Sequence, residues 1–374
     1  VGSVLAYTTA KGKRYEVRYK KPDGSHGGKR GFVRKRDAEI WLAEIESSRA
    51  KGAYIDPQAA KITIETLGPV WLEAKRASMK PSSFAPIETA WRLRVKPTWG
   101  RWEVADIRHT DVRSWVAKLS SELGATVTIR TFGVLASILD DAVYDGRIAN
   151  NPARMGRIGL PRKTRGRHGY LTHEEVMRLA RHSGDRALLV LLLAYTGIRW
   201  GEATALRVKD IDAAKGRLHI HANAVEVHGE IHVGTTKSHK GRPVPVPAFL
   251  LEELLSATAG VPRDGLVFSA PDGGFMRRTR TSDGSRSWFK TALAKAELPS
   301  MTVHDLRHTA ASLAVQSGAN VKTIQRMLGH TSAAMTLDVY SDLFDDDLDA
   351  VAAALDRAAS EVGAQRLSDG IEDT

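Results

Sequence analysis

The stretch His304-Asp305-Leu306-Arg307-His308-Thr309 decides how the chain reads. His304 and Arg307 are three residues apart, so on a helix they share one face. The apolar spacing predicts that helix over His304–Ser317. Working outward, a helix is expected over Ser285–Ala296 and another over Val321–Leu328, closed by Gly329 with His330 behind it. Tyr340 stands ten residues beyond His330. Upstream, Thr172 with Glu175 fits a capping box, and Leu188–Tyr195 reads as a buried helix. It runs into Tyr195-Thr196-Gly197-Ile198-Arg199-Trp200-Gly201-Glu202. Strands are expected at Arg217–His221, Glu230–Val233 and Pro243–Val246, with the basic turn Thr236-Lys237-Ser238-His239-Lys240-Gly241-Arg242 before the third. Residues 169–374 therefore read as a mixed α/β domain.

Taken singly, these polar residues say little. A lone arginine is usually a surface charge, a lone histidine a packed or solvated side chain, and a lone tyrosine half-buried packing. Together they form a chemical set. Two arginines can grip phosphate oxygens with their forked donors. A lysine on a turn can supply a proton, and two histidines can move protons near neutrality. A tyrosine hydroxyl can serve as a covalent nucleophile. No carboxylate cluster of metal-binding type accompanies them, so the arginines must take the charge-neutralising part that magnesium plays elsewhere. No metal and no cofactor are expected.

Composition narrows the classes. The chain has 374 residues, 42% hydrophobic and 26% charged, which suits two or three globular domains. It contains no cysteine, excluding disulfides, thiolate nucleophiles and cysteine-ligated metals. The formal net charge is +12. From Ser341 onward, ten acidic residues face two basic ones, so the remainder is more basic still. A basic body suits a polyanionic partner such as nucleic acid. Val1–Ala10 does not read as a signal peptide, and the apolar run Ala187–Ala194 is too short to span a bilayer. A soluble cytoplasmic protein, not associated with membrane, is expected.

Two further segments precede the mixed one. In residues 1–60, strands are expected at Val4–Thr8, Tyr15–Tyr19 and Arg30–Val33, then a helix over Asp37–Arg49. Between Lys11 and Arg36 lie eleven basic and two acidic residues. Arg14, Arg18, Lys20, Lys29, Arg30 and Arg34 are candidates for DNA contact; a solvated basic face is the plainer alternative. Residues 62–152 read as all-helical: Ile64–Arg76, Pro81–Val95 stopped by Pro97 and Gly100, Thr110–Leu119, and a helix capped by Thr126 and stopped at Gly146. Residues 153–168 form a basic linker whose Arg162, Lys163, Arg165 and Arg167 suit a phosphate backbone. The fold class is thus multidomain α+β.

At these residues the chain resembles the tyrosine recombinases, or phage-type integrases. The resemblance rests on Thr196-Gly197-Ile198-Arg199-x-x-Glu202, Thr236-Lys237, His304-x-x-Arg307-His308-Thr309, Leu328-Gly329-His330 and Thr336-x-x-x-Tyr340, in family order. Residues 62–152, with Pro97-x-x-Gly100 and Gly146-Arg147-Ile148-x-Asn150-Asn151-Pro152, resemble the family's helical core-binding (SAM-like) domain. Residues 1–60 resemble, more loosely, the three-stranded arm-type DNA-binding domain of larger phage integrases.

The resemblance implies a site-specific recombinase that cuts and rejoins DNA without metal or ATP, through a 3′-phosphotyrosyl intermediate and a Holliday junction. Tyr340 is the implied nucleophile, Arg199 and Arg307 the phosphate ligands, and His330 a further phosphate hydrogen-bond donor. Lys237 is the implied proton donor to the leaving 5′ oxygen, ahead of Lys240. His304, ahead of its rival His308, is implied to assist proton removal from Tyr340, with Glu202 in support. Implied partners are core-type and arm-type attachment sites in double-stranded DNA, a homotetramer on that DNA, a host DNA-bending protein and a directionality factor. An acidic helix from Asp345 to Glu361, with Phe344, Leu348, Val351, Leu355 and Val362 along one face, is expected to dock on a neighbouring subunit. The rivals are a type IB topoisomerase and a non-catalytic DNA-binding protein that has kept the fold.

Overall fold

The computed structural model describes residues 2–21, 24–50, 55–56, 59–162, 169–235, 241–279 and 287–340, with 352–353, 355–357 and 359–360 beyond. The chain divides into two compact units, Val1–Arg165 and Gly166–Thr374.

The first unit begins with three antiparallel strands in the order β1-β2-β3: Ser3–Thr9, Gly12–Lys20 and His26–Phe32. Alternation along β2 places Val17 and Tyr19 on the covered face. There they pack with Ala38, Trp41 and Ile45 of helix α1, Lys35–Ala50. The third strand starts earlier than expected, because His26-Gly27-Gly28 carries no β-branched signal and is held by pairing with β2.

Helices α2 (Ile64–Ser78), α3 (Pro81–Ala90), α4 (Lys96–Trp99), α5 (His109–Glu122) and α6 (Ala125–Tyr144) follow. The expected helix over Pro81–Val95 is not broken at Pro97. It passes through a π-turn at Trp91–Val95 and continues to Trp99. The wider turn accommodates the backbone donor that Pro97 lacks. Gly124, not Thr126, caps α6. Trp71, Trp91, Trp99, Trp115, Leu135 and Leu139 fill this core, and the Trp71 indole donates to Ser137 Oγ at 3.0 Å. The first residues of the basic stretch after 152 pack on the same core: Ala153 and Ile158 are buried in it, and Arg154 pairs with Asp140 at 2.8 Å.

The second unit opens with α7, His173–Arg181, whose Thr172–Glu175 capping box is formed from both sides. Helix α8, Ala187–Thr196, is apolar all round and buried, as a central helix must be. The short α9 spans Trp200–Thr204. Strands β4 (Ile211–Asp212), β5 (Arg217–Ile220) and β8 (Arg242–Pro245) pair antiparallel, while β6 (Ala222–Val227) and β7 (Glu230–Thr235) form a separate hairpin. Strand β6 was not expected from the sequence; it is defined by its partner β7. Helices α10 (Ala248–Ala257), α11 (Trp288–Lys295), α12 (Asp305–Gln316), α13 (Val321–Leu328) and α14 (Ala333–Tyr340) complete the unit. Leu189, Leu192 and Leu193 of α8 share one core with Leu306, Ala310 and Leu313 of α12. The fold is a mixed α+β assembly: a sheet with a helix, a helical core and an α/β unit.

Most of the expected acidic helix lies outside the described residues, including Phe344, Leu348, Val351 and Val362. Of its apolar face, only Leu355 is described, and it is exposed. Among the described residues no helix is long and apolar enough to cross a membrane.

Candidate active site

Two helix ends and one arginine organise the site. Helix α8 stops at Gly197 and α13 stops at Gly329, both in the left-handed conformation with φ of 63° and 67°. That conformation favours glycine and turns the chain sharply. Each helix end leaves carbonyls without a helical partner. Arg307, projecting from α12 and only 4% exposed, takes one from each: Nη1 donates to Gly197 at 2.5 Å and Nη2 to Leu328 at 2.6 Å. Arg307 thereby ties together the turns that carry Arg199 and His330. A guanidinium has five N–H donors, and these two bonds use two of them.

Arg199 is the N-cap residue of α9. Its Nη1 donates to Glu202 Oε1 at 3.1 Å, and its backbone N–H donates to Glu202 Oε2 at 2.9 Å. Glu202 is buried, while the Arg199 side chain keeps 31% exposure. A second arginine reaches the same carboxylate. Arg242 donates from Nη1 to Oε1 at 3.0 Å and from Nη2 to Oε2 at 2.8 Å. Burial acts to raise the pKa of Glu202, but the Arg242 bond and charge, with those of Arg199, outweigh it and hold it below the usual carboxylate range. Sequence reasoning missed Arg242. It lay in the quoted basic turn, and nothing in that run of charge distinguished it from its neighbours.

Two guanidinium groups thus share one buried carboxylate whose charge also reaches a third, Arg307, and the excess positive charge marks the surrounding groups. Burial depresses the pKa of Arg307, with Arg199 and Arg242 adding to the effect against the pull of Glu202. The pKa of His330 is lowered to about 4, first by burial and then by Arg307, Arg199 and Arg242. That of His304 is lowered by burial and by Arg307. Both imidazoles are therefore neutral at pH 7. His330 Nδ1 lies 3.0 Å from Thr336 Oγ1, which fixes the ring.

Tyr340 ends α14 and is 1% exposed, packed among Ala311, Val315, Ile324 and Leu328. Burial pushes its pKa up to about 12, against the opposing charge of Arg307. Its hydroxyl lies 2.9 Å from Nδ1 of His308. The residue touching the tyrosine is thus His308, not the expected His304. His304 instead lines a cleft of about 320 Å³ with Arg199, Asn223, Glu226 and Arg278. The two histidine rings meet edge to face, 5.5 Å apart.

Lys237 and its rival Lys240 lie outside the described residues, as do Lys163, Arg165 and Arg167. Arg162 is exposed. In the first unit, strand register divides the basic candidates. Arg14, Arg18 and Lys20 alternate with the buried Val17 and Tyr19 and so face outward, and Arg30 sits opposite Glu16. Arg18 and Arg30 both pair with Glu16, at 3.1 and 3.0 Å. Lys29 is placed differently, with its ammonium over the rings of Phe32 and Trp41. Arg34 is exposed in the turn before α1. Among the described residues no three histidine or acidic side chains group as a metal site.

Comparison with known proteins gives the arrangement a family. The sequence pattern of the phage integrase family matches residues 169–346. The chain is 29% identical over 338 residues to the putative prophage phiRv2 integrase of Mycobacterium tuberculosis, covering 87% of this chain and 88% of that one. Its fold matches the Tn1549 transposon integrase in complex with circular intermediate DNA, with a TM-score of 0.62 and 20% identity over 75% of this chain and 95% of that one. It also matches a lambda integrase tetramer bound to a Holliday junction, with a TM-score of 0.56 and 19% identity over 88% of this chain and 96% of that one. The family pattern lies over the unit that brings Arg199, Arg307, His330 and Tyr340 together, so residues 169–346 form a domain of the phage integrase family, the tyrosine recombinases of site-specific DNA recombination, and the chain is similar to phage and prophage integrases along most of its length.

Proposed function

We propose that this protein integrates and excises mobile DNA, phage or element, by cutting and rejoining strands through a 3′-phosphotyrosyl intermediate at Tyr340. The observation that carries the reading is the surplus of positive charge around one buried carboxylate: Arg199, Arg242 and Arg307 against Glu202. Such a site is incomplete without an anion, and a phosphodiester has the charge and the oxygens to complete it.

Arg199, with its exposed face, and the remaining donors of Arg307 bind the non-bridging oxygens. The neutral His330 donates one hydrogen bond to the same phosphate. The Tyr340 oxygen attacks phosphorus, its proton passing to an imidazole, His308 by proximity. The bond from phosphorus to the 5′ oxygen breaks, and Lys237 gives that oxygen its proton. One phosphoester replaces another, so a free 5′-hydroxyl can reverse the step without ATP, and the arginines carry the neutralising role without a metal. Because Tyr340 is buried against His308, α14 must shift before attack.

Residues 1–60 act as the arm-type DNA-binding domain and 62–152 as the core-binding domain, with 153–168 linking them to the catalytic domain at 169–374. The outward basic face of β2 and β3 supports the first assignment. A homotetramer exchanging strands through a Holliday junction is the working assembly, supported by the likeness to the lambda tetramer. A host DNA-bending protein and a directionality factor complete the reaction on its attachment sites. The test is whether purified protein makes a covalent adduct with supercoiled plasmid that depends on Tyr340; DNA binding without adduct would favour a protein that has lost catalysis.

A further inference from the structure

Arg242 stands at the first position of β8, five residues after Lys237 in the chain. Each of its three guanidinium nitrogens donates to protein. Besides its two bonds to Glu202, Nε donates to the Met327 carbonyl at 3.1 Å. Its side chain is 12% exposed, against 31% for Arg199. A forked cation spent this way is poorly placed to bind phosphate itself; its geometry suits holding other groups.

What it holds lies on two elements. The carboxylate of Glu202 also accepts the side chain and backbone N–H of Arg199. Met327 precedes Leu328, whose carbonyl takes Arg307, and stands three residues before His330. A second observation shows how closely the arginine lies on this turn. A Cβ at Gly329 would come within 2.9 Å of both Cδ and Nε of Arg242. Gly329 thus serves the left-handed turn and also the close approach of Arg242.

We propose that Arg242 is a positioning residue: through Glu202 and the Met327–Gly329 turn it fixes Arg199 and His330 relative to each other for phosphate binding. The proposal rests on the reading above that these two groups hold the scissile phosphate. Lysine cannot replace it, since a single ammonium cannot span both carboxylate oxygens and the carbonyl.

The test uses the full chain, supercoiled plasmid as probe and SDS to trap adduct, with melting temperature and plasmid affinity measured on every variant. Arg242→Lys is expected to slow adduct formation by about 10²-fold, the scale of one preorganised donor, with plasmid affinity unchanged. In a Glu202→Gln background the Arg242→Ala substitution should add less than its full loss, because the two residues share the Arg242–Glu202 contact while the bond to Met327 is separate. Millimolar guanidinium chloride should restore part of the rate of Arg242→Ala. Arg242→Lys keeps a charge against Glu202, so it remains informative where Arg242→Ala does not fold. Wild-type speed in Arg242→Lys would overturn the proposal, as would losses from the two sites that simply multiply. A fall in plasmid affinity in place of rate would show that Arg242 contacts DNA itself, also against it. A wild-type protein that makes no adduct would sink the reading of function, and this proposal with it.

Discussion

The Tyr340 hydroxyl sits 2.9 Å from Nδ1 of His308, inside a pocket that leaves the tyrosine 1% exposed. The hydroxyl is thereby kept from solvent and beside a base. Its raised pKa has a sign that can be checked. The folded state holds the phenol proton up to about pH 12, whereas the unfolded chain releases it near 10. The folded state therefore binds more protons between these values. The stabilisation is complete below pH 10 and is lost as pH rises toward 12. Chemical denaturation at pH 9 and 11 should show that loss in wild type and a smaller one in Tyr340→Phe.

The acid side runs the other way. His330 titrates at about 4 when folded and near 6.5 when unfolded. Between those values the unfolded chain binds the extra proton, so stability present above pH 6.5 drains away as pH falls toward 4. His304 shifts in the same direction. His330→Gln should flatten the acid limb of a melting-temperature profile, and His330→Gln with His304→Gln should flatten it further. An unchanged limb in the double variant would contradict the burial described for both rings.

The two arginines proposed to bind the phosphate should fail differently. Arg199→Ala removes a half-exposed side chain and should cut adduct formation by about 10²–10³-fold with little loss of stability. Arg307→Ala also strands the Gly197 and Leu328 carbonyls. Each buried unpaired carbonyl costs about 1–3 kcal/mol. A clear drop in melting temperature should therefore accompany the loss of activity in Arg307→Ala alone.

In the first unit, Lys20 and Arg34 face outward, while Lys29 covers aromatic rings. Replacing Lys20 or Arg34 with Ala should lower the salt dependence of DNA binding, by a slope of about 1 for each phosphate no longer neutralised. Lys29→Ala should leave that slope unchanged and lower stability. Equal slopes for all three variants would reject the outward face as the DNA surface.

The sequence was informative where a residue type and its spacing carry one meaning. Glycine after a helix marked the stop at Gly329, and the i,i+3 pair His304/Arg307 marked α12; the matching left-handed stop at Gly197 lay in a quoted stretch without being singled out. It was silent where meaning comes from a partner distant in the chain. Arg242 is one of several cations in its turn until it is seen between Glu202 and Met327, 40 and 85 residues away. His304 and His308 lie four apart and are equivalent on paper; only the packing of α14 puts His308 on Tyr340. Strand β6 likewise exists through its pairing, and the π-turn at Trp91–Val95 through the burial of both its ends.

The central claim is that Tyr340 cuts DNA at a site whose charge is supplied by arginine. Its most direct test is covalent trapping on supercoiled plasmid in EDTA, comparing wild type with Tyr340→Phe after an SDS stop. The expected result is a protein–DNA adduct with the wild type and none with Tyr340→Phe. An adduct with both proteins, or an adduct that EDTA abolishes, would contradict the account.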